Sequence, residues 1–136
     1  MQNIEPERIA VAVGLILDSE NKILIGQRTV QDAYLGKWEF PGGKIEPAES
    51  ADEALHRELW EEIGISVIDT VHFMTFEYDY PDRKVLLDFR LVSHYDGTPV
   101  AREQQNLRWV QLAQLGDFDM LAPNVCVIEA LRHKYG

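Results

Sequence analysis

Cysteine is nearly absent from this 136-residue chain: Cys126 stands alone, so no internal disulfide can form and a reducing compartment is expected. No apolar run approaches the ~20 residues that a membrane helix needs, and no secretory leader opens the sequence. Basic residues are scarce as well. Thirteen Lys and Arg face 23 Asp and Glu, giving a net charge of −10 and a pI near 4.7. Such a surface repels a phosphate backbone, which argues against a polymeric nucleic-acid partner. It leaves room for a small phosphate compound that arrives with a divalent cation. The sequence also lacks repeats, linkers and low-complexity tracts. What is there is ordinary globular composition, 46% apolar and 26% charged, at a length suited to one domain over 1–136. The expectation is a soluble, cytoplasmic protein with no membrane partner.

Residues 1–7 read as a loose lead-in. From Arg8 to Leu17 the odd positions are apolar and the even ones small or apolar, the pattern of a strand covered on both faces. Turn formers at 18–22 then predict a hairpin, with Ile23-Leu24-Ile25 as its returning strand. Residues 28–37 show no period and read as a loop. A short strand at Trp38-Glu39-Phe40 precedes a sharp turn at Pro41-Gly42-Gly43. Ser50 and Glu53 have the spacing of a capping box, Ala51, Leu55, Leu59 and Ile63 form a buried stripe, and Gly64 is placed to end the helix. Strands follow at about 67–80, 84–95 and 107–111, and a closing helix at about 125–133. The order β-β-β-α-β-β-β-α predicts an α/β fold, a mixed sheet with helices against it.

On the first helix Glu58, Glu61 and Glu62 are spaced i, i+3 and i+4 and share one face. At ~100° per residue that face adjoins Ala51 and Leu55, at the margin of the buried stripe. Two carboxylates ~6 Å apart in an effective dielectric of ~20 repel by nearly 3 kcal/mol, about two pKa units. A hard divalent cation removes that repulsion, and carboxylate oxygens suit Mg²⁺ or Mn²⁺. Arg57 and Lys44 add positive charge able to orient a carboxylate or touch a phosphate. The plain alternative is a solvated acidic face with Arg57 and Glu61 as an ordinary i,i+4 pair.

The wider pattern decides between these. Gly43, five residues, Glu49, seven residues, then Arg57-Glu58-Leu59-Trp60-Glu61-Glu62-Ile63-Gly64-Ile65 resembles the Nudix box, G-x₅-E-x₇-R-E-U-x-E-E-x-G-U, at every defining position. At about 7% usage per residue type, seven fixed identities arise by accident on the order of 10⁻⁸ times per register. The flanking stretches Glu39–Glu46 and Glu77–Arg83, the spacing from Glu103 to Trp109 and the segment around Asn124 resemble the MutT-like branch of that family.

The resemblance implies a Nudix fold, an α/β/α sandwich, and hydrolysis of nucleoside diphosphates linked to another moiety with Mg²⁺ or Mn²⁺. It implies metal ligation by Glu58, Glu61, Glu62, Glu103 and the Gly43 carbonyl, with Glu58 or Glu103 as the base and Arg57 holding Glu58. Glu49 would brace loop and helix from behind. Arg28, Phe40, Lys44, Arg83 and Asn124 would line the nucleotide. Tyr80 stands where the best-known member of the branch has a phenylalanine. The leading expectation is a pyrophosphohydrolase of oxidised purine nucleotides such as 8-oxo-dGTP. Modified cytidine nucleotides are the alternative substrates, and a non-catalytic nucleotide-binding module the alternative class. Asn124, between Pro123 and an apolar run, could equally cap the last helix. Cys126, in that run, reads as inert packing, and the four histidines have no ligand spacing.

Overall fold

The computed structural model describes residues 8–136; the lead-in expected over 1–7 lies outside them. Strand β1 (Ile9–Ile16) has its expected two-sided burial: Val13 and Leu15 enter one apolar cluster, Ala12 and Ile16 the other. It lies in a four-stranded sheet of order β4-β1-β6-β5, made with β4 (Gly42–Lys44), β5 (Ser66–Asp79) and β6 (Lys84–Asp96). β1 runs parallel to β6, while β4–β1 and β6–β5 are antiparallel, so the sheet is mixed. Helix α1 (Ala51–Ile63) covers one face through Ala54, Leu55, Leu59 and Ile63. Helix α2 (Asn124–Tyr135) closes the other through Val127, Ile128 and Leu131. The layers are α/β/α, as expected.

Three local expectations change. The β1–β2 hairpin does not form: β2 (Lys22–Gln27) leaves for a second sheet of order β3-β2-β7, with β3 (Trp38–Glu39) and β7 (Leu107–Gln111). Only a single bridge, Leu17 to Ile23, remains between the two neighbours. The Pro41-Gly42-Gly43 segment is a turn at its first residue only. Gly42 and Gly43 pair with β1 opposite Val13 and Ala12. Ala51 is half-buried, and Ala54 fills its place in the stripe. The helix ends are as the residues dictate. Ser50 and Glu53 form both bonds of the capping box, and Gly64 closes α1 at φ 70°.

Candidate active site

Arg57 is the hub of the site. Its Nε and Nη2 donate to the two carboxylate oxygens of Glu49 at 2.8 and 2.9 Å, and Nη1 donates to Glu58 at 2.7 Å. Nη2 also reaches the Lys44 carbonyl at 3.0 Å, which ties α1 to β4. Glu49 takes a further bond from the Glu46 amide at 2.8 Å. The Arg57 hydrogen bonds, with that amide, hold the Glu49 carboxyl down to about 2. The i,i+4 contact with Glu61 is longer, 3.6 Å.

Behind this hub the box carboxylates differ in environment. Glu61 is exposed, whereas Glu58 and Glu62 are half-buried. Burial pushes Glu58 up against the pull of Arg57. Glu62 is pushed up to about 9, first by burial, then by the charges of Glu103 and Glu58. The Gly42 amide donates to it at 3.1 Å. Gly43 is needed for contact: a Cβ there would lie 2.3 Å from the Glu58 carboxyl carbon. Among the described residues no ready-made cage of three His, Cys, Asp or Glu side chains exists. The donors nevertheless suit a hard cation. They are carboxylate oxygens, those of Glu58 and Glu62 in a half-dry place, and Arg57 bonds directly to Glu58.

Glu103 comes from the loop after β6, which is strapped to the end of α1. The Val100 and Arg102 amides donate to the Ile63 and Glu62 carbonyls at 2.9 and 3.1 Å. Arg102 Nη1 donates to the Trp60 carbonyl at 2.9 Å, and its guanidinium lies 4.5 Å from the centre of the Trp60 ring. The strap thus satisfies carbonyls that a helix end leaves orphaned. It brings Glu103 and Glu62 to one small cavity.

A larger cavity of about 250 Å³ lies on the α2 side of the sheet. Arg28, Phe40, Lys44, Arg83 and Asn124 all line it, together with Gly42, Gly43 and Tyr80. Asn124 is 5% exposed. Capping is not its role: Pro123 occupies the cap position, no side-chain cap bond forms, and Asn124 begins the helix. The Nε atoms of Arg28 and Arg83 are buried without a hydrogen-bond partner. Cys126 is exposed rather than packed. Sequence reasoning assigned no role to Glu39, which lines both cavities, pairs with Arg28 at 3.3 Å and is pushed up by burial. Its only signal was its place at the head of the stretch leading into Gly43. Arg102 was likewise passed over, since a loop arginine has no period.

The NUDIX domain family matches residues 6–131. The 8-oxo-dGTP diphosphatase of Escherichia coli (strain K12) is 38% identical over 93% of this chain and 98% of its own length. The CTP pyrophosphohydrolase of the same organism is 34% identical over 87% of each. A solved MutT structure, described for Aliivibrio salmonicida and Vibrio cholerae, has a TM-score of 0.84 at 37% identity, covering 95% of this chain and 100% of that one. The chain therefore belongs to the Nudix hydrolase family, in its MutT-like branch, whose members hydrolyse phosphoanhydride bonds.

Proposed function

We propose that the protein is a Mg²⁺-dependent (or Mn²⁺-dependent) nucleoside triphosphate pyrophosphohydrolase that acts on oxidised purine deoxynucleotides such as 8-oxo-dGTP. One observation carries the choice of a nucleotide. A single cavity has an apolar wall at Phe40, an amide at Asn124, two buried unpaired donors at Arg28 and Arg83, and a border at Gly43 against Glu58. An aromatic ring fits the apolar wall, and oxygen acceptors fit the unpaired donors. The Asn124 amide offers one donor and one acceptor to a purine edge. Relatives at 37–41% identity that are named 8-oxo-dGTP diphosphatases support the same substrate.

Glu58, Glu61, Glu62 and Glu103, with the Gly43 carbonyl, would hold the metal, which supplies charge neutralisation for the polyphosphate and acidifies bound water. Arg57 orients Glu58 while leaving it an oxygen free to accept a proton, and Glu103 is the second candidate base. Lys44 faces the phosphates. The oxygen of water bonds to the β-phosphorus as the bond from that phosphorus to the α–β bridging oxygen breaks. The water proton passes to the base, and the products are a nucleoside monophosphate and pyrophosphate. No helix among the described residues is long and apolar enough to cross a membrane. Action on the free nucleotide pool would place the protein in the cytoplasm.

The test is a panel of normal and oxidised nucleotides with and without Mg²⁺, scored by kcat/KM and pyrophosphate release. Oxidised purines should lead, and Asn124→Ala should lower kcat/KM for them about tenfold more than for unmodified purines, the worth of one buried hydrogen bond. Equal loss on both would refute base reading by Asn124. The CTP pyrophosphohydrolase at 34% identity favours a second reading, in which cytidine nucleotides head the panel.

A further inference from the structure

The loop over residues 28–37 is fixed at its base. The Arg28 amide donates to the Lys37 carbonyl at 2.9 Å and the Gly36 amide to the Arg28 carbonyl at 3.1 Å. The Arg28 side chain spans Asp32 within the loop at 2.7 Å and Glu39 in β3 at 3.3 Å. The tip of the loop reaches another part of the molecule. Tyr34 Oη donates to Asp82 Oδ1 at 3.0 Å, and its ring meets the edge of Tyr80 with centroids 5.1 Å apart. The Arg83 guanidinium carbon lies 5.5 Å from the centre of the Tyr34 ring and 4.9 Å from that of Tyr80. Tyr80 and Arg83 line the large cavity; Tyr34 is outside its lining and packs behind them.

A turn arginine is long and has many rotamers. Two aromatic rings within reach of one guanidinium limit it to few positions. Here that leaves its Nε buried and unpaired beside the cavity rather than out in water. The phenol of Tyr34 serves twice, the ring against Arg83 and Tyr80 and the hydroxyl on Asp82. We propose that Tyr34 is a positioning residue that clasps the 28–37 loop to the β5–β6 turn, so that Tyr80 and Arg83 are pre-set to hold a nucleobase. Ordering these groups before the ligand arrives removes a cost of binding, so the clasp acts on affinity and retention rather than on the chemical step. The clasp rests on the reading of this cavity as a nucleobase pocket.

The experiment compares the full chain with Tyr34→Leu, Tyr34→Phe and Asp82→Ala. Binding of 8-oxo-dGMP without metal should weaken five- to twentyfold in Tyr34→Leu. In Tyr34→Phe and Asp82→Ala, which keep the rings and lose the bond, it should weaken only two- to threefold. KM should rise in step while kcat holds or increases. Unchanged affinity and KM in Tyr34→Leu would overturn the clasp, as would a loss confined to kcat. If the parent binds no purine monophosphate, the pocket reading fails. Amide hydrogen exchange without ligand then judges the clasp by itself. Tyr34→Leu should speed exchange in 28–37 and 80–83 together, and an unchanged 80–83 segment would sink it.

Discussion

Arg57 does at one residue what a lysine could not. Its planar fork takes both Glu49 oxygens while the third nitrogen holds Glu58 and a backbone carbonyl is reached besides. Arg57→Lys keeps the charge and loses the fork, so kcat should fall about 10–100-fold with a smaller change in KM, because a base displaced from its geometry costs the chemical step. Steady-state kinetics on the preferred nucleotide checks it. The pairing also sets an acid limit. Glu49 titrates near 2 in the fold against its ordinary value near 4.5, so the folded state binds fewer protons than the unfolded one between these values. Its contribution to stability is complete above about pH 4.5 and is lost as the pH falls towards 2. Melting curves of Glu49→Gln should therefore depend less steeply on pH across that window than those of the parent. The resemblance to the Nudix box picked out Arg57, Glu49 and Glu58, and the fold brings the three side chains into contact. Glu39 and Tyr34 were not legible, since each acquires its part only from partners that the fold supplies.

The same division holds among elements. α1 could be read from cap to cap because its signals are local, although Ala54 rather than Ala51 completes the buried stripe. β2 could not be placed, because its partner β7 lies some eighty residues on and no periodicity records such a pairing. Cys126 was misplaced for a related reason. In a short apolar run the helical period decides which residues turn inward, and α2 buries Val127, Ile128 and Leu131 while Val125 and Cys126 face out. The end of α1 is where element and chemistry meet. Gly64 is left-handed, and a Cβ there would lie 2.8 Å from Arg102 Nε. Gly64→Ala should cost about 1–2 kcal/mol in denaturant unfolding from backbone strain alone. It should also displace Arg102, slacken the strap and lower kcat, because Glu103 then loses its place beside Glu62. Arg102→Ala should reproduce the fall in kcat with a smaller loss of stability. A normal kcat in both variants would mean that the strap does not position Glu103.

At the scale of the molecule, an acidic protein of net charge −10 keeps two box carboxylates, Glu58 and Glu62, half-buried beside the glycines of β4, while Glu61 and Glu103 are exposed. That arrangement is unfavourable until positive charge arrives. Without metal, Glu62 holds its proton up to about pH 9 because burial, Glu103 and Glu58 oppose its charge. A cation bound there must therefore displace that proton, since only the ionised carboxylate is a good ligand. Calorimetric titration with Mn²⁺ at pH 7.5, in two buffers of different ionisation enthalpy, counts protons released per ion bound. The account predicts close to one proton for the parent, and weaker binding with almost no release for Glu62→Gln. Tight binding with no proton released, or a Glu62→Gln protein indistinguishable from the parent, would contradict it.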